Sequence, residues 1–294
     1  MSASPEPSST IYDIGYRRYE GARLGRRGAI GAIIGAGMRA IFGLGRSGKS
    51  KILPWGAVAL AILPAVVAVA VRVLAGDIID LYSYESYLWE VGALFPIFIA
   101  AQAPELVVND MRHRVLPLYF SRPIGRLDYV VAKLTALVLG LLALTLLPVV
   151  ILFVGRILAA EDALAALGEE IGSLPAIIGN GVLHAVVLAS IGLAVCAVAG
   201  RRAYAAAAVL AIFLIGSVVS QVFESEGDSL EAIAPFTNPL SILDGAREWL
   251  FGGSVAGSPV AAAGVPLAVY GLTAAVVLAV SWAVLAVRYR GVSA

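Results

Sequence analysis

Tyr129-Val-Val-Ala-Lys-Leu-Thr-Ala-Leu-Val-Leu-Gly-Leu-Leu-Ala-Leu-Thr-Leu-Leu-Pro-Val-Val-Ile-Leu-Phe-Val154 carries a single charge, Lys133, in 26 residues. At about 1.5 Å per residue it makes about 39 Å of helix, more than the roughly 30 Å of hydrocarbon in a bilayer. Five further stretches meet the same requirement: Ile52 to Ala75, Leu88 to Val108, Leu174 to Gly200, Ala203 to Phe223 and Gly264 to Val287. Of the 294 residues, 60% are hydrophobic and 14% charged, against about 25% charged in soluble domains. A water-soluble fold could not hide that much apolar surface. The pattern predicts an all-α membrane protein with six transmembrane helices.

The net charge of +1 conceals a segregation of sign. Eighteen of the 21 Lys and Arg residues precede the first span, lie between or just inside spans two and three, separate spans four and five, or follow the sixth; only Arg72, Arg156 and Arg247 fall on the other side. Asp and Glu dominate the alternate segments. Because Lys and Arg in short loops set orientation, both termini are expected in the cytoplasm. The first apolar run starts only near Ile52, so no cleaved signal peptide is expected. The chain thus divides into a cytoplasmic tail with a basic amphipathic helix (1–51) and a six-span domain (52–294), with a cytoplasmic loop at about 109–128 and an outer loop at about 224–263. Cys196 is the only cysteine, which leaves no intramolecular disulfide and no thiol metal cluster.

Pro64, Pro96, Pro148 and Pro266 are expected to kink their spans. Gly179, Gly181, Ser190, Gly192 and Ala199 should let neighbouring helices approach closely. Gly43-Leu-Gly-Arg-Ser-Gly-Lys-Ser50 matches the phosphate-binding pattern GxxxxGK[ST], but such a loop needs a buried strand before it and a soluble helix after it. A membrane span follows within a few residues, so the segment reads as a basic glycine-rich hinge. His184 has no second ligand at metal spacing and reads as a packed, hydrogen-bonded histidine. Ser217, Ser220 and Gln221 could line a path or bond back to helical carbonyls, and the second reading is preferred. No protease or hydrolase constellation is present, so no enzyme chemistry, cofactor or nucleic-acid binding is expected.

Two cytoplasmic segments carry the functional signal. Arg17, Arg18, Arg26 and Arg27 flank a helix candidate, Ala29 to Phe42, whose Ile30, Ile33, Ile34, Ile41 and Phe42 fall near one face. It is too short to span and is expected in the interface plane, its arginines toward anionic lipid. The loop Asn109-Asp-Met-Arg-His-Arg-Val-Leu-Pro-Leu-Tyr-Phe-Ser-Arg-Pro-Ile-Gly-Arg-Leu-Asp-Tyr-Val-Val-Ala-Lys133 mixes charge with apolar side chains such as Leu116 and Leu118. Exposed in a short loop, these point to a protein partner. Glu105 lies close to the hydrocarbon edge, where an acid is a functional candidate by default; Arg112 or Arg126 is its expected counter-ion.

That loop, the basic N-terminal helix, the six spans and the long outer loop together resemble the permease subunit of type-2 ATP-binding-cassette transporters, over nearly the whole chain. The most specific part is Leu116-Pro-Leu-Tyr-Phe-Ser-Arg-Pro-Ile-Gly-Arg-Leu-Asp-Tyr-Val-Val-Ala-Lys133. The resemblance implies a coupling element at Asp110 to Leu116, including Arg112, His113 and Arg114, that docks on a separate ATPase subunit, with Ser121, Arg122 and Pro123 supporting the start of span three. It also implies short re-entrant outer helices within Ala234 to Gly253, two ATPase copies, a second permease and a bacterial plasma-membrane location, with export the expected direction. The readings set against it are a secondary transporter using Glu90 or Glu105 for proton coupling, and a non-transporting membrane scaffold.

Overall fold

The computed structural model describes residues 21, 25–76, 81–84, 86–113, 115–121, 123–226, 230–252 and 259–290. Among them every regular element is helical. In chain order these are α1 (Gly25–Ile41), α2 (Lys49–Ala75), α3 (Tyr87–Glu90), α4 (Leu94–Arg112), α5 (Leu116–Phe120), α6 (Arg126–Ala159), α7 (Ala163–Glu170), α8 (Leu174–Val198), α9 (Arg202–Glu226), α10 (Ala234–Thr237), α11 (Pro239–Phe251), α12 (Pro259–Ala262) and α13 (Leu267–Arg290).

Five helical stretches are long and apolar enough to cross a membrane: Lys49–Ala75, Arg126–Ala159, Ala163–Val198, Arg202–Ser225 and Leu267–Arg290. They correspond to all the expected spans but the second. There, α4 carries Gln102, Glu105, Asn109, Asp110 and Arg112, and a break at Gly92 separates it from α3. This helix packs against α1, α2, α6, α8 and α9, and protein neighbours satisfy its Glu105 and Asp110. By contrast α2, α9 and α13 turn Leu60, Val66, Leu214, Ile215, Leu272 and Val276 outward. Such faces are insoluble in water and at home in lipid, and the chain is a multi-pass membrane protein.

The core forms where α6 meets α2, α8 and α1, and where α4 meets α8 and α9. Glycines set several of the closest approaches. A side chain at Gly181 would overlap Leu146, one at Gly192 would overlap Ile99, and one at Gly155 would overlap Val69. Two of these three were readable as small residues in α8. Gly179, in the same expected set, makes no such approach.

The prolines divide. Pro64 lies inside α2, and one residue later the Tyr87 hydroxyl enters the helical ladder, donating to the Ala61 carbonyl and accepting from the Ala65 N–H at 3.1 Å. That insertion repairs the backbone where proline weakens it. Pro148 is also internal, as is Pro104 of α4. Pro96 sits in the first turn of α4 and Pro266 just before α13, positions where a missing N–H costs nothing, so the kinks expected there do not arise.

The N-terminal helix forms over Gly25–Ile41 and packs along α6. Arg26 meets Asp128, Gly37 meets Ala136 and Ile41 meets Gly140. Contacts advancing in step along both helices align α1 with α6 in the same direction. The Gly43–Ser50 segment then joins α1 to α2, with Gly43 and Gly45 at positive φ; no strand precedes it, and the phosphate-loop fold is not built.

Between α9 and α13 the chain turns back into the bundle. Thr237 of α10 donates to the Gly216 carbonyl, about 15 Å of helix before α9 ends at Glu226. Asn238 caps α11 by accepting from the Leu240 N–H at 3.0 Å, and α11 packs on α13 and α8. A side chain at Gly245 would strike the Tyr270 ring, itself stacked on Phe236 at 4.7 Å.

Candidate functional site

The ends of α4, α6, α8 and α13 converge with α1 and α5 on one end of the bundle, and ion pairs join them. Lys133 of α6 reaches Asp110 of α4 at 2.7 Å, and the Tyr129 hydroxyl donates to the same carboxylate at 2.8 Å. The ammonium also sits 5.9 Å from the Tyr119 ring centroid and 5.4 Å from that of Tyr129, where π faces add to its neutralisation. Tyr129 packs in turn on Tyr289 of α13. Burial raises the Tyr119 phenol above its usual range, and the Asp110 carboxylate adds to the shift. The phenol therefore stays protonated beside the ion pair.

Glu105, almost buried at 7% side-chain exposure, is held by Arg46 from the α1–α2 turn and by Arg202 of α9 at 3.0 Å. Its expected partners, Arg112 and Arg126, are engaged differently: Arg112 is exposed, and Arg126 donates to the Arg290 carbonyl at the end of α13. Asp128 takes a two-pronged contact from Arg26, 2.7 Å to Nε and 2.6 Å to Nη2, and caps α6 by accepting from the Gly125 N–H. This pair ties α1 to α6 with a planar fork. Because Arg26 is solvent-exposed, screening keeps its contribution local. Arg26→Ala is thus expected to accelerate amide exchange in residues 25–32 severalfold while leaving the unfolding midpoint of the solubilised chain in place, measured by hydrogen exchange with mass spectrometry.

The other anticipated residues fall into two groups. His113, Ser121 and Pro123 are exposed, as is Arg27, while Leu116 is buried. Ser121 donates to the Leu118 carbonyl at 2.9 Å and closes the short helix α5. Arg17, Arg18, Arg114 and Arg122 lie outside the described residues. The separate helix in this loop is α5, Leu116–Phe120, beginning where the anticipated Asp110 to Leu116 element ends; Asp110 and Arg112 complete α4. Leu118 projects from α5 with 69% of its surface exposed. Asp110, anticipated as a docking charge, is spent inside the bundle on Lys133 and Tyr129.

At the other end, a cavity of about 490 Å³ opens between α4, α9 and the α10–α11 turn, lined by Trp89, Pro96, Phe213, Ser220, Glu224 and Asn238. Ser220 donates to Glu224 at 2.8 Å, whereas Ser217 donates back to the Leu214 carbonyl. Ser217, Ser220 and Gln221 all line the cavity, and of the two serines Ser217 makes the expected bond back to a helical carbonyl. His184 is buried, its Nδ1 donating to the Asn180 carbonyl at 3.0 Å, as expected of a packed histidine. Sequence reasoning missed a buried triad on α11: Arg247 lies 2.6 Å from Asp244 and 3.5 Å from Glu248. Their i, i+3 and i+4 spacing was the available signal. Among the described residues, no group of three or more His, Cys, Asp and Glu side chains could hold a metal ion.

Fold and charge distribution define a helical multi-pass membrane protein. No protein-family model matches the chain, and no curated protein matches it in sequence.

Proposed function

We propose that this chain is the permease subunit of an ATP-binding-cassette exporter in a bacterial plasma membrane, with both termini cytoplasmic and a separate ATPase supplying the work. Residues Tyr87–Arg112, α3 and α4 together, make the remaining crossing in this reading. The observation that carries it is α5. A five-residue helix with Leu118 turned to solvent sits on a foundation locked by Asp110–Lys133, Glu105–Arg46–Arg202 and Arg26–Asp128. An exposed leucine on a flexible loop would transmit no force. On this foundation, displacement of α5 is passed to α4 and α6 directly and to α9 through Glu105.

The sequence resemblance names the same loop as the coupling element and predicts two permease chains with two ATPase copies. Clamped between two guanidinium groups, Glu105 is placed to brace helices rather than to shuttle protons, and Glu90 lies exposed. Both arrangements favour the ATP-driven reading over a proton-coupled one.

The test uses the chain coexpressed with ATP-binding-cassette ATPases of its own source organism. Leu118→Glu, at an exposed position, is expected to abolish co-purification of the ATPase and ATP-dependent export from vesicles while leaving the thermal midpoint of the permease unchanged. Retention of the ATPase and of export by Leu118→Glu would overturn the assignment of α5. Transport driven by a pH gradient without ATP would overturn the class.

A further inference from the structure

We infer that the groove between α8, α9 and α13 is a binding site for a resident anionic phospholipid, one acyl chain lying in the groove and the phosphate held by Arg201 and Arg288. The groove has a volume of about 510 Å³ and is lined by Ile191, Ala194, Val198, Tyr204, Ala208 and Val284 among others, nearly all apolar. Small residues on facing helices, Ala194, Ala199, Ala208 and Ser281, leave a trough where larger ones would have closed the helices' surfaces. Its flanks present Val198, Tyr204 and Val280 to the outside at more than half of their surface. A trough of this kind in a membrane-spanning bundle faces acyl chains.

One end of the groove supplies the headgroup chemistry. There α8 stops at Val198 and α9 starts at Arg202, so the Ala199–Arg201 turn marks the edge of the apolar layer. Arg288 of α13, an exposed residue, reaches that edge, its Nε donating to the Ala197 carbonyl at 2.9 Å. The Arg201 guanidinium lies 5.8 Å from the Tyr204 ring centroid, and Tyr204 is itself a wall of the groove. Arg290 lies two residues further along α13. Residues 186–210 and 276–290 contain no Asp or Glu, and among the described residues Arg202 of these arginines forms an ion pair, with Glu105.

An apolar trough, an aromatic side chain at its rim and two guanidinium groups at its mouth match in order the acyl chain, interface and phosphate of a phospholipid. Two guanidinium groups at the mouth of an apolar trough favour an amphiphile with an anionic head over a purely apolar cover. The inference rests on the membrane-spanning fold alone and stands or falls independently of the transport proposal.

The full chain, extracted from bacterial membranes in a mild detergent, is examined by native mass spectrometry with added phosphatidylglycerol or phosphatidylethanolamine. One phospholipid per chain is expected to remain bound, with phosphatidylglycerol retained at least tenfold over phosphatidylethanolamine. Arg201→Gln with Arg288→Gln should remove that preference. Ala208→Phe, which fills the trough and leaves both arginines in place, should lower retention of either lipid at least tenfold. The inference is overturned if wild-type chain keeps no lipid, if it keeps both lipids equally, or if neither variant changes retention. It is equally overturned if Ala208→Phe breaks a dimer in size-exclusion chromatography while lipid content holds.

Discussion

Lys133→Met is expected to lower the unfolding free energy of the detergent-solubilised chain by about 3 kcal/mol, the usual scale for removing one partner of a buried ion pair. The ammonium has 8% side-chain exposure and its carboxylate partner Asp110 17%, so neither is solvated enough to stand alone. Methionine fills nearly the same volume, which separates the lost charge from a cavity. What remains, among the described residues, is an Asp110 carboxylate served by the Tyr129 hydroxyl, amid three tyrosine rings from α5, α6 and α13. Adding Asp110→Asn should then recover more than half of the loss, because an apolar or neutral pair costs less than one orphaned charge. Reversible unfolding in SDS, followed by circular dichroism across the double-mutant cycle, measures both effects. A Lys133→Met loss no larger than that of Arg26→Ala would show that the Asp110 pair is not what fixes α4 to α6. In the transport proposal it would also take away the foundation of α5.

The spanning helices were legible because lipid imposes the same demand on every residue of a long window, and α6 shows where that demand stops. Its apolar run is Tyr129 to Val154, yet the helix extends over Arg126–Ala159. Asp128 caps one end through Gly125, and Arg156 at the other donates to the Tyr82 carbonyl at 2.8 Å and stacks over Tyr84 at 4.4 Å. Polar residues with local partners continue a helix that hydropathy ends. The packing of α1 was not legible for a related reason. Its isoleucines suggested a lipid-facing stripe, but close contact with α6 runs through Gly37 against Ala136 and Ile41 against Gly140, and a glycine's value lies in what faces it. The partners of Glu105 illustrate a third limit. Nearby arginines in sequence were the natural choice, while Arg46 lies 59 positions away and comes close only once α1 has docked on α6. In each instance the missing information is the identity of the neighbour, which periodicity along one helix does not contain.

Arg247→Leu is expected to release α11 from α8 and α13, with a loss of roughly 3–5 kcal/mol at neutral pH. Arg247, Asp244 and Glu248 are each less than 5% exposed, and one guanidinium serves two carboxylates at 2.6 and 3.5 Å. Removing it takes the shared guanidinium away from two like charges in an enclosed site. Burial pushes the Asp244 carboxyl up to about 6, opposed by Arg247 and reinforced by Glu248. An acid whose folded value exceeds its unfolded value of about 3.9 takes up a proton on folding. Its contribution therefore becomes more favourable as pH falls from about 6 toward 4, and less favourable above 6. In Arg247→Leu the same trend should be steeper, since no cation remains to favour the charged form. The other groups at this site are His184 of α8, within electrostatic reach of Arg247, and Tyr270 of α13, which senses both carboxylates. Amide exchange across residues 239–251 measured at pH 7.5 and 5.0 reports the docking directly. Arg247→Leu should show fast exchange at pH 7.5 and at least partial protection at pH 5.0, and adding His184→Gln should leave that recovery intact if the carboxylates are its source. Recovery that vanishes with His184→Gln would assign the proton to the histidine instead. Exchange in Arg247→Leu that matches wild type at both values would mean that the Tyr270 ring on Gly245, rather than the charge triad, holds α11 in place.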